Sequence, residues 1–179
     1  MASSATQPAR DPMSTRVVEG LLADLHAPDP TAREQAKAML QTLDRGAMVE
    51  ELGRLLGSRD PELRCDAAEA LLRIEADQAI EQVLPLLRDP DSTVRWHTCG
   101  LLRDFGDPRA IPVLVPVLLT DPEADVRLMA AYVLSEIGDR SALPALRQVA
   151  ELDDGTDYEG RRVRDAATEA VESITARDA

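Results

Sequence analysis

The chain has 179 residues, of which 44% are apolar, 30% charged and only 2% aromatic, and its formal charge is −13. So acidic a chain argues against a nucleic-acid backbone or an anionic membrane surface as partner, because clustered lysine and arginine recognise both. No apolar run reaches the roughly 18 residues that a membrane span needs, and the apolar content supports one packed unit whose core must be Leu, Val, Ile and Ala.

Residues 1–15 are rich in Ala, Ser and Pro and carry no apolar run, so they read as a disordered leader and not a signal peptide. A first helix is expected over 17–25, with His26 at its end, where a cation is mildly favoured. Further helices of this kind are expected over 47–56, 79–87, 110–119 and 142–152, each with Leu, Val or Ile at helical spacing. Pro112 and Pro144 fall in first turns, where proline is harmless. Pro85 and Pro116 look internal and predict a kink or a lost hydrogen bond.

A second helix follows each of these, and it keeps time with a periodic arginine. Arg33, Arg64, Arg95, Arg127 and Arg164 are spaced by 31, 31, 32 and 37 residues. Asp-Pro recurs with them at positions 29, 60, 89 and 121. Self-similarity at this period marks a stacked repeat array. Counting from the residue before each arginine, offset 0 is Ala32, Leu63, Val94, Val126 and Val163, and offset 4 is Ala36, Ala67, Thr98, Ala130 and Ala167. Offset 7 is Met39, Ala70, Leu101, Val133 and Ala170, offset 8 is Leu40, Leu71, Leu102, Leu134 and Val171, and offset 11 is Leu43, Ile74, Phe105, Ile137 and Ile174. These offsets share one side of a 3.6-residue helix, and small residues at offset 4 predict close helix approach. Asp29, Asp60, Asp89 and Asp121 are expected to cap the second helices, with the following Pro at the first position and a Thr31–Glu34 capping box as the alternative in the first unit. Gly106 and Gly138 are placed to end two of them in a left-handed conformation.

The pattern Asp-Pro-x-x-x-Val-Arg-x-x-Ala-Ala-x-x-Leu-x-x-Ile-Gly-Asp is clearest from Asp121-Pro122 through Val126-Arg127, Ala130-Ala131, Leu134 and Ile137-Gly138-Asp139. It resembles the HEAT-like repeats of the bacterial type known from phycobilisome lyases. The resemblance spans about residues 16–176 and leaves 177–179 as a tail. It implies an all-α fold, an α-solenoid or alpha-alpha superhelix of about five helical hairpins. It also implies that Arg33, Arg64, Arg95, Arg127 and Arg164 form a structural ladder with acids such as Asp60, Asp89 and Asp121. The family consists mostly of binding scaffolds, with scattered enzymes.

Departures from the repeat point to a site. Offsets 2 and 6 lie opposite the buried side of the second helix. They read Glu34, Cys65, Trp96, Leu128, Asp165 and Ala38, Glu69, Gly100, Tyr132, Glu169. The middle is thus apolar, with His97 and Met129 on the shoulder. Trp96, His97, Leu128, Met129 and Tyr132, flanked by Glu69 and Asp66, are the expected partner-binding residues on a concave face. The alternative is that Trp96 folds back and fills the gap beside Gly100. The acidic flank is either a solvated face or a selector for a basic protein or peptide with an apolar anchor. The extra residues of the last unit, 153–162, are acidic and glycine-containing, but they lack the spacing of a calcium loop and are expected to be a mobile rim loop.

Catalytic groups are scarce. The chain has two histidines, neither followed by Glu, and no phosphate loop, serine elbow or Cys-His pair. A di-iron hydroxylase and a base-excising enzyme built on similar repeats need His-Glu pairs or a basic face, so neither activity carries over. No metal or cofactor is expected. Cys65 and Cys99 sit at offsets that face different directions, which speaks against a disulfide and for a reducing, cytoplasmic setting. Nineteen of the twenty basic residues are arginine, and with abundant Ala this hints at a bacterial source. The reading is therefore a non-enzymatic protein-interaction scaffold; a bilin lyase-like subunit or an accessory factor assisting an enzyme is the alternative.

Overall fold

The computed structural model describes residues 12–177 apart from 26 and 43, with side chains described from residue 16 onward except at 37 and 40–42. The expectations for residues 1–11, His26, Leu40, Leu43 and the last two residues lie outside this description.

The described residues form α1 (Pro12–Leu25), α2 (Pro30–Thr42), α3 (Arg45–Leu55), α4 (Pro61–Val83), α5 (Ser92–Phe105), α6 (Ile111–Thr120), α7 (Ala124–Ile137), α8 (Leu143–Leu152) and α9 (Val163–Arg177). Helix α1 begins ahead of the expected position 17. Helix α4 is two helices run together. Glu75 breaks it, with φ −146° and ψ 58°, one residue after the expected end of the second unit's second helix. The remainder of α4 and the 3-10 turn Leu84–Arg88 serve as the first helix of the third unit. No glycine marks this boundary, whereas Gly106 ends α5 in the left-handed region at φ 64°.

Consecutive helices pair as α1/α2, α3/α4, α6/α7 and α8/α9, and α4, α5, α7 and α9 stand side by side in a row. On the other layer α3 leans on α1, the 84–88 turn on α6, and α6 on α8. Between the layers lies an aliphatic core that includes Leu52, Leu71, Leu102, Leu118, Leu134, Leu146 and Ile174, all shielded from water. Burying each such side chain is worth about 1.5–3 kcal/mol. Offset 4 is fully enclosed in every unit, which is why Ala36, Ala67, Ala130 and Ala167 are small. The polar exception, Thr98, satisfies its hydroxyl on the Val94 carbonyl at 2.7 Å.

The caps depart from expectation in two units. Asp60 caps α4 with Pro61 at the first position, and Asp29 accepts from the Thr31 N–H at the start of α2. In α5, however, the cap is Asp91, which accepts from the Thr93 N–H at 2.8 Å. Glu123 stands at the cap position of α7 without a side-chain cap bond. Asp89 and Asp121 lie two residues earlier, because their carboxylates are held by the preceding unit's arginine. Gly138 is not left-handed either; it is extended at φ −65° and ψ 154°. Its requirement is space: a Cβ there would lie 2.3 Å from the Leu134 carbonyl oxygen and 3.0 Å from Ile174 Cδ1. Pro85 enters the 3-10 turn, while Pro116 sits inside α6, where the Thr120 hydroxyl bonds its carbonyl at 2.9 Å.

Candidate partner-binding face

The periodic arginines build a ladder along one edge of the row. Arg64 meets Asp89, Arg95 meets Asp121 and Arg127 meets Asp153, each through two side-chain hydrogen bonds of 2.7–3.0 Å. The third guanidinium nitrogen reaches back to the carbonyl six residues earlier: Ser58, Asp89 and Asp121. Arg33 repeats this carbonyl bond on Ala27 at 2.6 Å. Each rung acid also accepts from the N–H two residues on, at Asp91, Glu123 and Gly155. One guanidinium therefore ties its own helix start to the segment that leads into the next unit's second helix. Fork-to-fork geometry suits arginine and not lysine. The hydrogen bond and charge of Asp89, Asp121 and Asp153 raise the pKa of their arginines further above the ordinary value, against the opposing effect of burial.

Sequence reasoning missed Asp153 as a rung and placed it in the insertion. The signal was present: it follows Arg127 by 26 residues, as Asp121 follows Arg95. Arg164 completes the end of the ladder by bonding the Asp153 carbonyl at 3.0 Å and pairing with Asp154. Asp60, expected in the ladder, is placed as the α4 cap.

The outward side of α4 and α5 carries a groove of about 440 Å³, with Glu69 and Arg73 on one wall and Trp96, His97, Gly100 and Asp104 on the other. Trp96 is 40% exposed. It does not fill the gap beside Gly100, since a Cβ built at Gly100 would meet nothing within 4 Å. Arg73 is bound to Glu69 at 2.7 Å, and His97 Nε2 lies 4.0 Å from the same carboxylate. The buried Nδ1 of His97 has no hydrogen-bond partner among the described residues. Asp66 lies one turn before Glu69 and is half-buried. Trp96 also walls a second groove of about 250 Å³ on its other side, with Ser92, Thr93, Glu123, Asp125, Val126 and Tyr158.

The expected cluster is thus only partly assembled. Trp96, His97 and Glu69 share a groove. Met129 and Tyr132 on α7 are half-buried against the core. Leu128 is corrected: it is 3% exposed and belongs to the core, so it presents nothing to a partner. Asp125, Leu128 and Tyr132 form one stripe of α7 by helical spacing, and the 153–162 insertion is laid along it. The Tyr158 N–H donates to Asp125 Oδ1 at 3.2 Å, and Arg161 lies near Tyr132.

That insertion is tied down and is not the free rim loop expected. Thr156 and Arg162 form an isolated antiparallel bridge. Asp157 is buried at its centre and accepts from Arg161 Nε at 2.6 Å and from the N–H groups of Glu159 and Arg161. Burial alone would raise its pKa; the bonds from Arg161 and Glu159 outweigh burial and lower it. Tyr158, in contrast, is 79% exposed. No group of three or more His, Cys, Asp or Glu among the described residues could hold a metal ion, and none of the described helices is long and apolar enough to cross a membrane.

Paired helices stacked in two layers, with arginine–aspartate rungs tying successive units, define an all-α solenoid. The sequence matches HEAT repeats over residues 18–93 and 80–172, and the chain belongs to that family. Comparison with curated proteins gives no match. Among solved structures, one engineered protein is 25% identical over 89% of this chain and 79% of its own, with a TM-score of 0.52. A second engineered protein is 23% identical, with a TM-score of 0.53, and the match covers 89% of this chain and 48% of that one. The complex of CpcE and CpcF of phycocyanin lyase from Nostoc sp. PCC7120 is 21% identical over 98% of this chain and 69% of that chain, with a TM-score of 0.58.

Proposed function

We propose that the chain is a non-enzymatic scaffold that binds a protein or peptide on the grooved, concave side of its second-helix row. The observation that carries this reading is the sole tryptophan standing 40% exposed beside an open notch at Gly100. An indole in water contributes little to folding, whereas exposed aromatics beside a pocket are common interface anchors. Trp96, His97 and Glu69 form the first contact surface, and the half-buried Met129 and Tyr132 extend it along the row. Net charge −13 favours a basic partner with an apolar anchor.

Pull-down with the native chain, Trp96→Ala and Gly100→Glu tests this. The glutamate at 100 projects into empty space and leaves the core intact. Loss of the same captured protein from both variants, at unchanged helical circular dichroism and with capture kept by Arg147→Glu on α8, supports the site; retention by both sinks it. The fold shared with the lyase complex is compatible with a lyase-like or accessory role, and covalent bilin transfer to a phycobiliprotein subunit is the assay for that alternative.

A further inference from the structure

The smaller groove, between α5, the start of α7 and the insertion, has a composition of its own. Trp96 and Tyr158 supply two aromatic rings, and Glu123 and Asp125 supply two carboxylates, within about 250 Å³. The loop that presents Tyr158 is held from behind by the buried Asp157 and by the bond from the Tyr158 N–H to Asp125. The Tyr158 ring itself is left 79% in water. A large aromatic kept exposed on a tied loop has no folding role to explain it.

The charge around the groove is negative. No arginine lines it: Arg95 is paired with Asp121, Arg127 with Asp153, and Arg161 with Asp157 and Glu159, and Glu123 lies within Coulomb range of Arg95 and Arg127 without an ion pair to either among the described residues. Glu123 and Asp125 face the groove itself, and Glu159 flanks Tyr158. Ring faces and carboxylates together attract one chemical class, a cation on an apolar stem. The rings hold the charge through their quadrupoles and the stem through contact, and the acids add Coulomb attraction.

We propose that this groove takes an arginine or lysine side chain of the basic partner between Trp96 and Tyr158, with Glu123 and Asp125 at its charged end. This deepens the scaffold reading and rests on it. The larger groove at Gly100 would then receive the apolar anchor of the same segment, with Trp96 as the ridge between them.

Trp96 is the only tryptophan, so its fluorescence reports the site directly. The probes are a tryptophan-free pentapeptide, acetyl-Ala-Ala-Arg-Ala-Ala-amide, its lysine analogue, and its citrulline analogue, which keeps the shape and removes the charge. Expected is a saturable change in Trp96 emission with the arginine and lysine peptides, weakened by salt, and a clear loss with citrulline. Tyr158→Ala weakens binding about two- to fivefold, the size of an exposed cation–π contact, and Tyr158→Phe restores it. Glu123→Gln with Asp125→Asn weakens it as well. Equal binding of arginine and citrulline peptides overturns the proposal and assigns an apolar occupant. So does no saturable change at millimolar peptide, or indifference to Tyr158→Ala. A partner whose capture is lost with Gly100→Glu but unaffected by Tyr158→Ala overturns this inference and leaves the scaffold reading intact. Capture unaffected by either variant overturns both.

Discussion

Arg95 of α5 holds Asp121, the residue that closes α6, through hydrogen bonds of 2.7 and 3.0 Å, with the two side chains only 10% and 4% exposed. Both charges are withdrawn from water, and each is stable there only because the other is present. The same Asp121 oxygen that accepts Arg95 Nη2 also accepts the Glu123 N–H, so the pair sets the turn into α7 as well as the spacing of two units.

Removing one partner of this central rung strands the other. Asp121→Ala is expected to lower stability by about 3–5 kcal/mol, as for other broken buried ion pairs, measured by urea unfolding followed by circular dichroism. Asp153→Ala should cost less, because the Arg127–Asp153 side chains are 16% and 12% exposed. Replacing the central pair together, with Arg95→Met and Asp121→Leu, should cost less than either single change. A double variant as unstable as the sum of the singles would refute this account of the rung.

The Arg127 hydrogen bond lowers the pKa of Asp153, against burial, which raises it. A carboxylate whose folded pKa lies below its unfolded value stabilises the fold above the ordinary carboxylate range of about 4. That stabilisation is lost as pH falls through the folded value. Asp153→Asn should therefore be less stable than the parent near neutrality, and the gap should close in acid. Urea midpoints measured across the acid range check this; a gap that stays constant would exclude the linkage.

Two glycines should respond in opposite directions. Gly138→Ala places a methyl 2.3 Å from the Leu134 carbonyl oxygen, and the backbone must shift. A loss of about 1–3 kcal/mol is expected, typical of overpacking. Gly100→Ala meets open space within α5 and should gain roughly 0.5–1 kcal/mol from helix propensity. Thermal unfolding of both variants tests the pair, and a destabilised Gly100→Ala would mean that the notch is not open.

Leu128 and Trp96 occupy the same offset in neighbouring units, yet they should behave differently. Leu128→Ala empties a site that is 3% exposed and should cost about 2–5 kcal/mol. Trp96→Ala should cost less, despite the larger side chain removed, because the residue is already 40% exposed. Equal losses would contradict the placement of the two residues.

Residue spacing made the repeats legible. Apolar offsets with a helical period, small residues at offset 4 and a recurrent arginine each predict the same stack, and each is a local property of the chain. Trp96 was legible as an exposed residue for the same reason, since its own helix turns it outward. Leu128 was not. Its offset is outward on a bare helix, yet Leu128 is 3% exposed in the stack, where the returning insertion also bonds Asp125 of the same stripe across 33 residues. Asp89 and Asp121 were legible as acids at a helix entrance and, through the resemblance, as ladder acids; the fold shows that they serve the arginine of the preceding unit and leave the capping to other residues.

The amino-acid order alone determined the helices, their two-layer stacking and the identity of the ladder arginines, because periodicity and turn chemistry act between near neighbours in the chain. The tertiary structure decided which outward positions stay in water, which acids face which arginines, and that Trp96 and Tyr158 share a groove. Those outcomes depend on where a loop lands after the chain has stacked, and no local preference encodes that landing.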